Sequence, residues 1–372
     1  MSTSPAEPTG VAPGDPVPKL VLPDGKGGRV DFTHQSIAGR TVVIWAVRGT
    51  PEPAARQALA AQLGAFEAIE ARVFAVASGA GAPPSAAETE DSPLLQLFDA
   101  DGRMARAFGI IGSGVIVIDI DGRLVQVLQG DAFDEALAVC KGLHGRSAPE
   151  VLGAQAPVLL IANVLEPELC QRVIGYWDAG EKLADNVATS GRGTDQAYAA
   201  MKKRDDVIVA DIDIFNVLKA RIVRRVVPEV QKAFQFRIFS LEVIRIGCYD
   251  SADGGYFRRH RDNRTPYTAH RQFALSLNLN TGDYAGGELR YPEYGRQLYA
   301  PGIGGAVIFS CSLLHEALPV TSGRRFALFS FLCDEAGAVE ERKLIAAEHA
   351  AGREGVTMRT SGRTSGNPAS SA

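Results

Sequence analysis

Cysteine is sparse and unpatterned in this 372-residue chain. Its five thiols, at 140, 170, 248, 311 and 333, include no C-x-x-C pair. That spacing excludes a disulfide framework and a zinc-finger ligand set, and free thiols fit a reducing cytoplasm. Long hydrophobic runs are missing too. No uninterrupted apolar segment approaches the ~18–20 residues that a spanning helix needs. The opening MSTSPAEPTGVAPGDP has neither the basic start nor the apolar stretch of a secretory signal. Charge of one sign is not in excess: 39 Lys and Arg against 43 Asp and Glu leave a formal −4, which gives no electrostatic case for a nucleic-acid partner. Histidine is scarce, with six residues, so the search for metal ligands is short.

What is present reads as two globular segments between low-complexity ends, as the length allows. Residues 1–14 are rich in Pro, Ser and Gly and are expected to be disordered. TVVIWAV (41–47) and RVFAVAS (72–78) read as buried strands around an Ala-rich helical stretch, 52–71, with Pro53 in its first turn. GVIVIDIDGRLVQVL (114–128) reads as a hairpin centred on Asp121-Gly122. A helix at 132–143 closes the segment. Residues 144–156 have linker composition. From 157 a strand and a helix carrying Leu169, Val173, Ile174 and Trp177 on one face lead to a second helix at 214–227. Short antiparallel strands follow from about 239. Helices before strands predict helices packed on a β-sandwich or jelly roll at 157–335. The tail, 336–372, ends in GREGVTMRTSGRTSGNPASSA and is expected to be disordered.

The order of elements in 15–143 is a thioredoxin-like layout. GDPVPKLVLPDGKGGRVDF and IVIDIDGRLV make this segment resemble a peroxiredoxin or alkyl hydroperoxide reductase domain. The family's peroxidatic cysteine follows the strand before the first long helix. Here that turn is Thr50-Pro51-Glu52-Pro53, and the segment's one thiol is Cys140, in its last helix. A thiol peroxidase needs a thiolate at a helix N-terminus, so the domain is expected to be redox-inactive. Its expected roles are stability, domain orientation, or contact with a protein partner or a second copy.

GGYFRRHRDN (254–263) reads as a turn entering a strand. Residues i and i+2 of a strand share a face, so His260 and Asp262 would converge while Arg261 points away. One neutral nitrogen and one anionic oxygen on a face are two-thirds of an Fe(II) facial triad. The bland alternative is a surface strand with a His–Asp hydrogen bond. A third ligand would come from His270 or His315, the other histidines of the strand-rich segment. His270 lies in the polar loop NRTPYTAHRQ and reads as a loop histidine. His315 follows VIFSCSLL, 55 residues after His260. Arg325, ten residues further on, is expected on the strand next to the one delivering His315, with Arg324 facing out. A guanidinium there can pair bidentately with a carboxylate.

This order of H-x-D, His and Arg, with the blocks CYDSADGGYFRRHRDN, YAGGELRYPEY, PGIGGAVIFS and LLHEALPVTSGRRFALFSFL, resembles the prolyl 4-hydroxylase-like branch of the Fe(II)/2-oxoglutarate dioxygenases. The resemblance covers about 157–335 and implies a double-stranded β-helix. It implies metal ligands His260, Asp262 and His315, and Arg325 on the distal carboxylate of 2-oxoglutarate. Tyr249 matches the family tyrosine near the co-substrate, and Ser276 and Asn278 share a strand face that would line the same pocket. Implied cofactors are Fe(II), 2-oxoglutarate and O2, with ascorbate admitted as reductant; the products would be succinate, CO2 and a hydroxylated peptide, prolyl or small-molecule substrate. Asp262 argues against halogenation, because its carboxylate fills the position a halide would take. Rival readings are an oxygenase fold kept as a binding module and a thiol-dependent peroxidase. The stretch 180–206 is expected to shape selectivity, and its charges Lys202-Lys203-Arg204-Asp205-Asp206 are expected to form a solvated face.

Overall fold

The computed structural model describes residues 10–24, 26–34, 36–79, 94–145, 151–182 and 201–350. The disorder expected at 1–9 and 351–372, and most of the expected selectivity loop (183–200), lie outside the described residues. The chain divides into two compact units, Met1–Val151 and Leu152–Ala372.

The first unit is built on a five-stranded sheet in the order Leu95–Asp99, Arg72–Ser78, Val42–Arg48, Ser113–Ile118, Leu124–Gln129. The first three strands run parallel, Ser113–Ile118 runs antiparallel to them, and Leu124–Gln129 pairs antiparallel with Ser113–Ile118. The near-continuous apolar run of Val42–Arg48 follows from its central place, since a strand covered on both faces cannot alternate. One face packs around Ile44, Val76 and Leu97, the other around Trp45, Leu59 and Phe133. The hairpin at Asp121-Gly122 is closed by the Asp119 carboxylate, which accepts from the N–H groups of Asp121 and Arg123, with Gly122 at φ +77°. Residues 10–14 are not free of this unit, contrary to expectation: Val11 and Gly14 donate to the carbonyls of Ala107 and Leu124. The closing helix runs Phe133–His144, so His144 belongs to it rather than to a linker.

The second unit is a sandwich of two main sheets. The larger has seven strands, in the path Asp205–Ile208, Arg245–Asp250, Arg324–Cys333, Phe273–Asn278, Ala306–Ser310, Leu159–Ile161, with Ser240–Leu241 beside Arg324–Cys333. The smaller has five, in the order Leu298–Tyr299, Leu289–Arg290, His315–Ala317, Tyr256–His260, Lys202–Lys203. All pairings are antiparallel. Strand alternation sorts the larger sheet into two faces. Ile246, Cys248, Phe326, Leu328, Leu275 and Ile308 form the outer face and pack with the helices Pro167–Ala179, Ile212–Arg225 and Val227–Phe234. The expected helix at 214–227 is found as Ile212–Arg225, and a second helix begins at Val227 with Pro228 in its first turn. The inner face carries Tyr249, Ala274, Val307 and Phe309.

Two expected boundaries move. Gln297 donates to the carbonyl of Ala154, and Ala156 N–H donates to Tyr299 Oη at 2.9 Å, so the end of the expected linker is part of the sandwich. The expected tail opens as a helix, Glu335–Ala350, with Ala338 and Glu341 buried. No helix among the described residues is long and apolar enough to cross a membrane.

Leu277, fully buried in the outer-face core, tests this division. Leu277→Ala is expected to cost about 2–5 kcal/mol in urea unfolding, and Leu277→Met less than about 1.5 kcal/mol. Equal losses would place the side chain outside a tightly packed core.

Candidate active site

His260 ends the strand Tyr256–His260 and pairs directly with His315, the first residue of His315–Ala317. Asp262 is not on that strand, as the i, i+2 argument expected. The register is irregular between Phe257 and His260, and Asp262 lies past the strand end, tied by its N–H to the Cys311 carbonyl at 3.0 Å. The turn, rather than the pleat, delivers the carboxylate. His260 Nε2 lies 3.3 Å from Asp262 Oδ1, and His315 Nε2 lies 3.5 Å from Oδ2. Ligand atoms of all three residues fall within 4.8 Å of one another.

Local contacts set the imidazole tautomers. His260 Nδ1 faces the Arg258 carbonyl at 2.7 Å and His315 Nδ1 faces that of Leu313 at 3.0 Å. Each Nδ1 therefore carries the proton, which leaves the Nε2 lone pairs toward Asp262. Phe257 stacks on the His260 ring at 3.6 Å between centroids, and Phe309 packs edge-on against His315 at 4.6 Å. Burial lowers the His315 pKa and keeps that imidazole neutral. Burial pushes Asp262 up, but the His315 and His260 rings beside it hold the carboxyl down, to about 2. The cluster thus presents two imidazole nitrogens and one carboxylate.

Arg325 does not sit beside the His315 strand. It lies on Arg324–Cys333 in the larger sheet, paired with Tyr249, whereas His315 is in the smaller one. Arg325 is 2% exposed and faces inward, while Arg324 is exposed and lies 3.7 Å from Asp178. Arg325 Nη2 donates to Asn278 Oδ1 at 2.9 Å. Asn278 is held in turn by donating to Thr281, Tyr284 and the Pro301 carbonyl. Gly287 leaves room for the stem, because a Cβ there would meet Arg325 Cδ at 2.9 Å. The Tyr249 ring centre is 5.1 Å from the guanidinium carbon. Arg325 Nε and Nη1, Ser276 Oγ and Tyr291 Oη are buried with no hydrogen-bond partner. Tyr291 escaped sequence reasoning, since only its fold neighbours Phe309 and His315 mark it.

A cavity of about 160 Å³ separates the sheets and is lined by His260, Asp262 and His315 from one side and Tyr249, Ser276 and Phe329 from the other. Lys202 and Arg204 also line it, so these charges do not form a solvated face. Lys202 Nζ donates to Asp206 Oδ2 at 3.0 Å, and Arg204 grips both oxygens of Asp206 and donates to Tyr249 Oη at 3.1 Å. Gly247 makes this possible: a Cβ there would come within 2.6 Å of Arg204 Cδ. Lys202 and Asp206 belong to strands of different sheets, and Arg204 joins them, so sequence alternation alone did not bring the three together.

A second buried ionic group reaches the cavity wall through Glu242 and Arg271. Glu242 accepts from Arg271 through both oxygens at 2.8 Å and meets His270 Nε2 at 2.9 Å. Together with Glu341 these groups are close enough to suggest a metal cluster, but Arg271 already takes both Glu242 oxygens. His270 is therefore a buried structural histidine and stays apart from His260, Asp262 and His315. Burial pushes Glu242 up, but Arg271 and His270 hold it at about 2 against an ordinary 4.5. A depressed folded pKa stabilises above the unfolded value, and that stabilisation is lost as pH falls through the folded one. Glu242→Gln is expected to cost about 3–5 kcal/mol near neutral pH by leaving Arg271 uncompensated. The gap from the parent should narrow between pH 4.5 and 2. A gap that is flat across that window in pH-resolved unfolding would contradict the pairing.

Residues 244–333 match the 2OG-Fe(II) oxygenase superfamily. A PKHD-type hydroxylase from Saccharophagus degradans is 34% identical over 106 residues, 26% of this chain and 46% of that protein. The chain thus spans about half the length of the curated relative it matches. Among solved structures, a prolyl hydroxylase from Trichoplax adhaerens, in complex with a hypoxia inducible factor oxygen degradation domain peptide fragment, overlaps 51% of this chain and 87% of its own, at 17% identity and TM-score 0.40. A prolyl-4-hydroxylase from Pseudomonas putida overlaps 49% and 94%, at 18% identity and TM-score 0.38. The family match spans the strands that carry His260, His315 and Arg325 and the turn that carries Asp262.

Proposed function

We propose that the second unit is an Fe(II)- and 2-oxoglutarate-dependent hydroxylase of the prolyl 4-hydroxylase-like kind, with domain bounds near 157–335. It would convert substrate C–H, O2 and 2-oxoglutarate into substrate C–OH, succinate and CO2. The observation that carries this reading is the meeting, inside one sandwich, of the His260–Asp262–His315 cluster with a buried guanidinium whose Nε and Nη1 lack partners. Two imidazole nitrogens and one carboxylate fit a ferrous ion and leave other positions open. Bound there, iron supplies the oxidising power. The protein's own groups bind, orient and exclude water. Arg325, steadied by Asn278, takes the distal carboxylate of 2-oxoglutarate, with Ser276 and Tyr249 beside it. Phe257 and Phe309 brace the imidazoles. Ascorbate is the accessory reductant of this reading, and a peptide, prolyl or small-molecule substrate is its acceptor.

For the first unit, 15–143, a thioredoxin-like and redox-inactive reading is supported by the strand order and by Cys140, whose burial pushes its thiol up to about 12. A thiol that stays protonated cannot serve as a peroxidatic nucleophile. Contact with a partner protein or a second copy is then the proposed role. A cytoplasmic location is supported by five cysteines that are all buried and unpaired.

Five variants test this reading. His260→Ala or His315→Ala should lose most Fe(II) in metal analysis. Arg325→Ala should keep the metal but bind 2-oxoglutarate about 10- to 100-fold more weakly, as expected for a charged hydrogen-bonded pair of about 1.5–3 kcal/mol. Arg324→Ala should leave that affinity unchanged. Unchanged iron in both histidine variants, or an effect at Arg324 and none at Arg325, would overturn the assignment. In the first unit, Cys140→Ser should leave 2-oxoglutarate turnover intact, and a loss would assign that thiol a chemical role.

A further inference from the structure

The inner face of the strand Arg245–Asp250 presents positions 245, 247 and 249 to the cavity. Tyr249 faces Arg325 and Gly247 makes way for Arg204. The third position is Arg245, opposite Phe329 on the neighbouring strand, and it lines the cavity. An arginine inside a sandwich needs a counter-charge. Lys202 and Arg204 share Asp206, and Arg271 has Glu242. Arg245 makes no hydrogen bond or ion pair with any described residue, although Asp206 and Glu242 are near enough to be felt electrostatically. Their oxygens are already taken: Asp206 by Arg204 and Lys202, Glu242 by Arg271 and His270. Burial works against the charge and lowers the Arg245 pKa. The cavity therefore holds a half-buried cation with no hydrogen-bonded counter-charge among the described residues.

We propose that Arg245 seats a carboxylate of the substrate, so that this oxygenase acts on a small carboxylic acid of the free amino-acid class. This rests on the oxygenase reading above. A planar guanidinium matches a carboxylate through two parallel hydrogen bonds. The backbone carbonyl of an internal peptide residue is neutral and would leave Arg245 uncompensated. Arg245 sits on the sheet wall facing the His260–Asp262–His315 cluster, within a cavity of about 160 Å³, which is close to the ~150 Å³ that holds one benzene. A substrate anchored there would hold its acid group a short distance from the carbon to be oxidised. Arg325 stands apart in a deeper position with its own anchor, Asn278, so the two guanidinium groups divide two carboxylates between them.

The test uses the full chain, loaded anaerobically with Fe(II) and 2-oxoglutarate. The probes are the twenty free L-amino acids, their C-terminal amides, and a proline-containing peptide blocked at both ends. Binding is read by calorimetry and thermal shift, and turnover by succinate release in air. At least one free acid should bind and raise succinate release, and its amide should bind at least about tenfold more weakly. Arg245→Met should lose the acid to a similar degree, Arg245→Lys should recover part of it, and 2-oxoglutarate affinity should move less than about threefold in both. The ligand-free unfolding midpoint of Arg245→Met should equal or exceed that of the parent, because the change removes a half-buried charge that has no paired counter-ion. The proposal is overturned if no free acid binds, if acids and amides bind alike, if the blocked peptide binds better than every acid, or if Arg245→Met leaves acid affinity intact. It is equally overturned if Arg245→Met weakens 2-oxoglutarate as strongly as Arg325→Ala does. A parent protein that binds neither Fe(II) nor 2-oxoglutarate defeats the oxygenase reading itself, whereas the other outcomes leave that reading standing.

Discussion

Ionic groups inside an apolar sandwich must find counter-charges within a few ångströms, because taking a charge out of water costs several kcal/mol. The second unit meets that demand in three places. Asp206 lies between Arg204 and Lys202, Glu242 lies between Arg271 and His270, and Asp262 lies between two imidazoles. The first two groups close on themselves. The third lines the cavity and is open to it, and the proposed ferrous ion would complete it. Arg325 and Arg245 are the converse, cations with no ion pair to a described residue. The interior is thus a set of charges whose remaining imbalance points to ligands.

Sheet geometry makes such an interior affordable. The outer face of the larger sheet is almost wholly aliphatic and aromatic and is sealed by helices, so the apolar core lies on one side of the sheet. The inner face is then free to carry polar groups, and small residues make room for them. Gly247 lets Arg204 lie flat across its own strand, and Gly287 admits the Arg325 stem. Aromatic rings complete the packing: Phe329 lies 4.2 Å from the Arg204 guanidinium, and Phe331 lies 3.8 Å from that of Arg271. A guanidinium stacked on a ring keeps its edge free for hydrogen bonds.

Much of this arrangement was legible in the sequence, for local reasons. The strands at 42–48 and 72–78 declare themselves by composition, and the helix beginning at Pro53 by its proline. The pairing of Arg324 outside with Arg325 inside follows from strand alternation alone. What sequence could not supply was long-range pairing. Arg325 shares a sheet with Tyr249 and Asn278 rather than with His315, because the chain changes sheets between 317 and 324. Asp262 reaches the cluster from a turn, held by a bond to Cys311 some fifty residues on. In the run Lys202–Asp206, Lys203 and Asp205 are exposed as expected, whereas Lys202, Arg204 and Asp206 turn inward beside Gly247, on a distant stretch of chain. The same holds for Glu335–Ala350, whose buried Ala338 and Glu341 depend on the sheet beneath them.

The central claim is that one sandwich interior holds a metal through His260, Asp262 and His315 and a dicarboxylate through Arg325. A crystal structure of the full chain with Mn(II), as a redox-silent stand-in for Fe(II), and 2-oxoglutarate tests it most directly. The account predicts the metal bonded to both Nε2 atoms and to the Asp262 carboxylate, with the far carboxylate of 2-oxoglutarate on Arg325 Nε and Nη1. Metal seated at Glu242, His270 and Glu341 instead, or the far carboxylate resting on Arg245, would contradict it.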